Sequence, residues 1–123
     1  MSGKNYFLDS YAIIEILKSN PNYERFSDVA LVSSRINLVE VAYHLLESFP
    51  KEKAAEIISS LKFSILEIQE KQITGIAVFR KENAKKKLSY IDCIGYRLAQ
   101  ENGLKFVTGD KEFEKMPNVE FVK

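Results

Sequence analysis

The chain has 123 residues, 46% of them hydrophobic, which is enough to build one hydrophobic core, and we expect one domain over residues 1–123. Its net charge of +1 excludes a globally basic protein, so any contact with nucleic acid has to come from a local patch. The single cysteine excludes an intramolecular disulfide, and no membrane span or signal-peptide pattern is visible, so we expect a cytoplasmic protein without membrane contact.

Strand-like apolar runs alternate with helical spacings along the whole chain. In chain order, the pattern predicts a strand at 6–9, helices at 11–18 and 23–26, a strand at 29–33, helices at 36–48 and 51–61, a strand at 63–68, helices at 72–83 and 90–102, and strands at 105–108 and 119–122. Gly103 is expected just beyond the end of its helix. This order predicts an α/β fold of three layers, α/β/α, around a central, mostly parallel sheet of four to five strands.

Four acidic residues lie just after predicted strands or near the starts of predicted helices. Asp9 ends the first strand, Glu40 lies in the helix after the second, Asp92 begins the helix at 90–102, and Asp110 follows the fourth strand. In a parallel sheet these positions meet at the carboxyl edge, where ligands bind. We therefore expect the four carboxylates to lie near one another.

Each acid also has a purely structural explanation. The segments 37–40 and 89–92 approximate capping boxes, in which the acid accepts a hydrogen bond from a free backbone N–H. Asp110 could cap a short helix at 112–116. Asp9 is the weaker candidate for a cap, because the neighbouring Ser10 is expected to cap the first helix.

Clustered carboxylates repel one another unless protons or a cation compensate their charge. The sequence has no cluster of His and Cys, which disfavours a zinc-type site, whereas an all-oxygen site prefers Mg²⁺ or Mn²⁺. Such ions support attack of water on a phosphodiester. The residue types therefore indicate metal-dependent phosphodiester chemistry.

Three stretches, "YFLDSYAIIEIL", "INLVEVAYHLL" and "LSYIDCIGYRLAQENGLKFVTGDKEF", resemble the PIN domain, a family of Mg²⁺/Mn²⁺-dependent ribonucleases. The chain is most similar in length and layout to the ribonuclease toxins of VapBC-type toxin–antitoxin pairs. The resemblance implies a metal-dependent endoribonuclease that acts on RNA, binds an antitoxin protein and forms a homodimer.

The resemblance also implies roles for individual residues. The acidic quartet that holds the metal and carries catalysis would be Asp9, Glu40, Asp92 and Asp110. Thr108 matches a hydroxyl that often contacts the acids, and Ser10 stands beside Asp9 in a supporting position. The apolar helix at 11–18 would help to form the groove for the antitoxin, with Tyr23, Phe26 and Phe49 as further lining, although core packing alone could explain its composition.

A basic stretch precedes Asp92 and comprises Arg80, Lys81, Lys85, Lys86 and Lys87. It could hold the RNA backbone, with Arg80, Lys85, Lys86 and Lys87 as the binding residues, or it could be a solvated helix end. His44, one turn after Glu40, could face the acids or be an ordinary helix residue.

The alternative function is a non-catalytic α/β module that binds phosphate or a partner, as receiver-like signalling domains do. Such a module needs a phosphoacceptor Asp at the end of its third strand. The third predicted strand offers Glu67 instead, which ranks this interpretation well below the nuclease.

Overall fold

The computed structural model describes residues 6–27 and 30–123. Its five strands form one sheet in which all neighbouring strands are parallel: β1 Tyr6–Leu8, β2 Leu31–Ser33, β3 Phe63–Ile65, β4 Lys105–Thr108 and β5 Val119–Phe121. Their order across the sheet is β3-β2-β1-β4-β5.

The helices follow and separate the strands: α1 Ser10–Leu17, α2 Arg35–Leu45, α3 Lys51–Ser60, α4 Glu70–Glu82 and α5 Tyr90–Glu101, with 3₁₀ helices at Pro21–Phe26 and Lys111–Phe113. Successive side chains of a strand point to opposite faces, so Phe7 packs into one core with residues of α4 and α5, and Leu8 packs into another with residues of α1, α2 and α3. The predicted three-layer fold is thus confirmed, and its sheet is fully parallel among the five described strands.

Local capping determines where several helices begin and end. Ser34 caps α2, and Gln69 and Ser89 form capping boxes at α4 and α5 with residues three positions later. Gly103 follows α5 with a φ of +67°, a conformation that only glycine adopts without steric cost, as the sequence predicts.

Some element boundaries differ from the prediction. The third strand ends at Ile65 rather than at residue 68, because its partner β2 stops at Ser33 and the chain then turns to cap α2. Helix α4 begins two residues early, since the capping box at Gln69 supplies a start that apolar spacing alone does not reveal. Helix α2 ends at Leu45 instead of residue 48. The predicted start of the second strand, Val29, lies outside the described residues.

The sheet has a topological switch point between β1 and β4, because successive strands are added on one side of β1 and then on the other. The chain runs from β1 outward through β2 to β3, then crosses back to β4 and continues to β5 on the other side. In open parallel sheets, the crevice beyond the carboxyl ends of two such strands is where ligands bind. No helix among residues 6–27 and 30–123 combines the length and the apolar character that a membrane span requires.

Candidate active site

Asp9 lies at this switch point, directly after β1. Its backbone N–H donates to the carbonyl oxygen of Val107 in β4 (3.2 Å), and its Oδ1 accepts a hydrogen bond from the backbone N–H of Ala12 (2.8 Å). Asp9 is therefore the cap of α1, and the expectation that Ser10 would cap this helix is wrong. The physical reason is that Ser10 already has helical backbone geometry and its hydroxyl points into the protein, where it bonds to Asn37.

Thr108 and Asp110 approach Asp9 from the end of β4. The Thr108 hydroxyl is fully buried, accepts a hydrogen bond from the Asp110 backbone N–H (3.0 Å) and lies near the Asp9 carboxyl group, whose pKa it lowers. Asp110 caps the 3₁₀ helix through its Oδ1, which accepts from the Glu112 N–H (2.9 Å). A cap at Asp110 is thus confirmed, and the same carboxylate faces the space in front of Asp9.

Glycine is required between Thr108 and Asp110. A Cβ atom at Gly109 would collide with the ring of Tyr11 and lie 2.7 Å from the carbonyl oxygen of Val122. The glycine thus lets the chain pass from a buried hydroxyl to a half-buried carboxylate within two residues.

Glu40 projects from α2, which is fixed by a buried polar network. Ser34 Oγ accepts from the Asn37 N–H (3.2 Å) and donates to Asn37 Oδ1 (2.6 Å), while Asn37 Nδ2 donates to Ser10 Oγ (3.0 Å). The predicted capping box at 37–40 is wrong, because the helix begins three residues earlier with Ser34 as its cap. Glu40, one turn after Asn37, is consequently free of a capping role.

Asp92 caps α5 and also faces the same space as the other acids. Its Oδ2 accepts from the Ser89 N–H (2.9 Å), and its own N–H donates to Ser89 Oγ (3.1 Å), which confirms the capping box predicted at 89–92. The Asp92 carboxylate therefore takes part in the capping box and also faces the space shared with the other acids, so the capping explanation and the site explanation do not exclude each other.

The four acids line one open cavity of about 600 Å³ at the carboxyl edge of the sheet. Its complete lining is Asp9, Ser10, Tyr11, Ile14, Glu40, Tyr43, His44, Glu47, Asp92, Gly109, Asp110, Lys111 and Lys123. This lining holds five carboxylates but only two ammonium groups, so its charge is strongly negative when all are ionised. Below, this space is called the acidic cavity.

The electrostatics of the acidic cavity follow from burial and mutual repulsion. Burial raises the pKa of Asp9 to about 7; the Thr108 hydroxyl and the hydrogen bond from the Ala12 N–H oppose this, and the charges of Asp92 and Asp110 add to it. Burial also raises the pKa of Asp92, against its bonds to Ser89, and nearby negative charge raises it further. The carboxylates are close enough to perturb one another, and each would be easier to ionise beside a cation.

A divalent cation fits this donor set. Among residues 6–27 and 30–123, no three carboxylate, imidazole or thiol side chains stand close enough together to form a metal shell by themselves. Mg²⁺ does not need such a cage, because it keeps several waters and takes only one or two carboxylates, with phosphate oxygens completing its shell. Hard oxygen donors with excess negative charge suit such an ion better than they suit zinc.

The basic stretch forms a second cavity beside the first, between the end of α4 and the start of α5. Arg80 and Lys86 line it together with Lys81, whereas Lys85 and Lys87 are exposed outside its lining. Lys86 Nζ donates to the carbonyl oxygen of Glu112 (3.2 Å), two residues after Asp110. The structure thus places part of the stretch next to the acidic cavity. We refer to this space of about 320 Å³ as the basic cavity.

The apolar helix α1 is buried on one side and lines a groove on another. Ile14, Leu17 and Phe49 border a space of about 240 Å³ between α1 and the end of α2. Tyr23 and Phe26 do not belong to this groove, which corrects the sequence expectation. Each is 1% exposed, because the 3₁₀ helix turns both rings into the core under α1.

Several cavity and support residues were missed by sequence reasoning. Asn37 gave one usable signal, since a polar residue among apolar neighbours in a helix has to find buried partners. Tyr43 and Lys123 gave none. Glu67, which stands where the receiver-like alternative would need an Asp, lies at the surface and pairs with Arg35 Nε (2.7 Å), away from the acidic cavity.

Comparison with known proteins agrees with this architecture. The family profile of the PIN domain matches residues 6–119. No protein among the curated sequences matches the chain.

Several solved structures share the fold across nearly their whole length. A toxin–antitoxin complex from Klebsiella pneumoniae is 20% identical with a TM-score of 0.74, covering 94% of this chain and 95% of that chain. VapC20 from Mycobacterium tuberculosis, a sarcin–ricin loop cleaving toxin, is 15% identical with a TM-score of 0.75, covering 96% and 99%. DNA-bound VapBC from Salmonella typhimurium is 23% identical with a TM-score of 0.70, covering 96% of each chain. At such identities the likeness concerns the fold, and together with the profile match over residues 6–119 it shows that the chain belongs to the PIN domain family.

Proposed function

We propose that this protein is a metal-dependent endoribonuclease that hydrolyses RNA phosphodiesters, and that it is the toxin of a toxin–antitoxin pair. The observation that carries the proposal is the acidic cavity. Four carboxylates from four separate places in the chain line it, and burial and repulsion hold the pKa of Asp9 near 7. Three of the carboxylates also cap helices, but capping does not require them to converge on one cavity, where burial and mutual repulsion of like charges cost folding free energy.

The carboxylates Asp9, Glu40, Asp92 and Asp110 would hold Mg²⁺ or Mn²⁺. When bound, such an ion withdraws charge from a phosphoryl oxygen and makes a nucleophile of water at neutral pH. The Thr108 hydroxyl would favour the ionised form of Asp9, and Ser10 ties α1 to α2 through Asn37. The bond between Ser10 and Asn37 would hold Asp9, which caps α1, and Glu40, which belongs to α2, in a fixed relation before substrate arrives.

Substrate binding would use the cations beside the acidic cavity. Arg80, Lys85, Lys86 and Lys87 lie in and around the basic cavity and would hold the RNA backbone by charge. Their position next to the acids would offset the repulsion that a polyanion meets at the acidic cavity.

The groove between α1 and α2 would receive the antitoxin. Its walls are mostly apolar, with Ile14, Leu17, Leu45 and Phe49 among them, and Phe49 is 38% exposed in the isolated chain. Two of the structural neighbours are themselves described as toxin–antitoxin complexes or VapBC assemblies. The homodimer remains an expectation from the family resemblance, and the cytoplasmic location an expectation from the sequence.

The function is tested by incubating the purified protein with single-stranded RNA in Mg²⁺ or Mn²⁺ and, in parallel, with EDTA. We expect internal cleavage with either ion and intact RNA in EDTA. The matched control is Asp110→Asn, which removes one carboxylate while keeping an oxygen to cap the 3₁₀ helix. Cleavage that persists in EDTA, or that Asp110→Asn leaves unchanged, would contradict the proposed chemistry.

A further inference from the structure

The basic cavity contains an aromatic–cation pair, of which the proposed function uses only the charge of Arg80. The guanidinium carbon of Arg80 lies 4.1 Å from the centre of the Tyr90 ring, which is the geometry of a cation–π contact. Tyr90 is 62% exposed although it belongs to the first turn of α5. A large aromatic ring is thus held flat and open to solvent at the cavity wall.

Arg80 is not neutralised by any described carboxylate. None of the ion pairs among residues 6–27 and 30–123 involves it, and its Nε is buried without a hydrogen-bond partner in that part of the chain. The side chains that line the basic cavity within the same residues include three cations and no acid. The cavity therefore carries unpaired positive charge next to a planar aromatic surface.

The pair is fixed in position relative to the acidic cavity. Tyr90 precedes Asp92 by two residues, so the two side chains leave α5 on different sides of the same turn. Lys86, from the opposite wall of the basic cavity, is bonded to Glu112 in the 3₁₀ helix that Asp110 caps. The two cavities therefore lie on either side of the first turn of α5, one lined by Tyr90 and the other by Asp92.

We propose that the Tyr90–Arg80 pair stacks an unpaired base of the substrate RNA, one that neighbours the phosphate held at the acids. This inference rests on the proposed ribonuclease function and names the form of RNA that the site takes. Unpaired bases stack on aromatic rings and on guanidinium planes, and the adjoining phosphates are neutralised by lysines such as Lys86. A base inside a duplex already has stacking neighbours on both faces, so the site selects single-stranded RNA.

The test is the affinity for a fluorescent single-stranded RNA, measured by anisotropy in EDTA over a series of salt concentrations. Tyr90→Leu should weaken binding by about 5- to 150-fold, the loss found when one stacking partner of a base is removed. Tyr90→Phe keeps the ring and should bind like the wild type. Arg80→Lys keeps the charge but loses the planar group, so it should also weaken binding.

The salt series separates stacking from charge. Tyr90→Leu removes no charge, so the slope of log affinity against log salt should stay unchanged, whereas Lys86→Ala should make that slope shallower. An RNA that lacks one base at the stacked position should bind the wild type and Tyr90→Leu equally. If Tyr90 only stabilised α5, the affinities for the two RNAs would not differ in this way. Thermal melting of each variant measures the stability of the protein directly.

Two results overturn the inference. One is that Tyr90→Leu binds single-stranded RNA as tightly as the wild type does. The other is that Tyr90→Leu weakens binding to a duplex of the same sequence as much as it weakens binding to the single strand. Failure of the wild type to bind any single-stranded RNA overturns it as well. If the protein cuts RNA while Tyr90→Leu binds normally, stacking is refuted and the ribonuclease proposal stands. If binding depends on the Tyr90 ring but no RNA is cut in Mg²⁺ or Mn²⁺, the stacking site stands and the catalytic proposal fails.

Discussion

Replacing Asp9 by Asn should make the metal-free protein more stable at pH 8 while abolishing RNA cleavage. The carboxyl group of Asp9 is 4% exposed, and its pKa is raised from 3.8 to about 7 by burial and, to a lesser extent, by Asp92 and Asp110. Asparagine keeps an oxygen to accept the Ala12 N–H, so the cap of α1 survives. The substitution therefore removes a buried charge without removing the hydrogen bond that starts the helix.

The size and the sign of the effect follow from proton linkage. In the unfolded chain Asp9 releases its proton near pH 3.8, whereas in the folded protein it keeps the proton up to about pH 7. Between these values the folded state binds more protons, so wild-type stability falls as the pH rises. One pKa unit is worth about 1.4 kcal/mol, so the loss approaches about 4 kcal/mol at pH 8, and we expect Asp9→Asn to recover about 2 to 4 kcal/mol of it.

The assay is urea unfolding in EDTA at several pH values between 4 and 8. The free energies of unfolding of Asp9→Asn and wild type should agree near pH 4 and diverge as the pH rises. The control, Asp110→Asn, removes a charge from a less buried position in the same cavity and should gain less. Addition of Mg²⁺ should stabilise the wild type at pH 8, by about 2.7 kcal/mol at one hundred times its Kd, but not Asp9→Asn. A variant that is less stable than the wild type at pH 8, or a difference independent of pH, would refute this reasoning.

Three further changes test other parts of the site. Replacing the lysines at 85–87 by Ala should weaken RNA binding and make its salt dependence shallower, because fewer counterions are released; identical affinities across a salt series would return these lysines to the solvated-helix interpretation. Asp92→Asn should abolish cleavage and leave the melting temperature in EDTA unchanged or higher. A variant that melts at a lower temperature, because its free energy of unfolding falls by roughly 0.3–1 kcal/mol, yet still cuts RNA would mean that Asp92 acts only as a cap. Gly109→Ala should cost about 1–3 kcal/mol in urea unfolding, because its methyl group would collide with a tyrosine ring and a backbone carbonyl; unchanged stability would show that the turn can relax.

The fold was largely predictable because strands that are buried on both faces of a sheet appear in the sequence as continuous apolar runs. Runs such as Phe7-Leu8 and Phe106-Val107 are apolar without alternation, since each residue of the pair packs into a different core. Helices of ordinary length between such runs leave few topologies other than a covered parallel sheet. Apolar runs do not show where the hydrogen bonding between two strands stops. For this reason the third strand ends three residues earlier than predicted.

The acids of the site were predictable in position, and so were the caps at Asp92 and Asp110, but the cap of α1 was not. A residue directly after a buried strand reaches the carboxyl edge whatever its side chain, so Asp9 and Asp110 could be placed from the sequence. Whether Asp9 or Ser10 caps α1 depends on which residue first adopts helical geometry, and this is set by the pairing of Asp9 with β4. The Ser34–Asn37–Ser10 network was missed because its three members come from two segments that meet only in the folded protein.

The central pairing of β1 with β4 also sets when the acidic cavity can exist. Tyr6 pairs with Lys105, across almost the whole described chain, so β1 and β2 are both synthesised long before β4. Contacts between residues so distant in sequence are slow to form, because a long loop must be closed before the contact is gained. A ribosome-bound chain that has emerged only as far as α5 has Asp9, Glu40 and Asp92 but neither Thr108 nor Asp110 to complete their surroundings. The order of synthesis thus delays assembly of the complete site until β4 has left the ribosome.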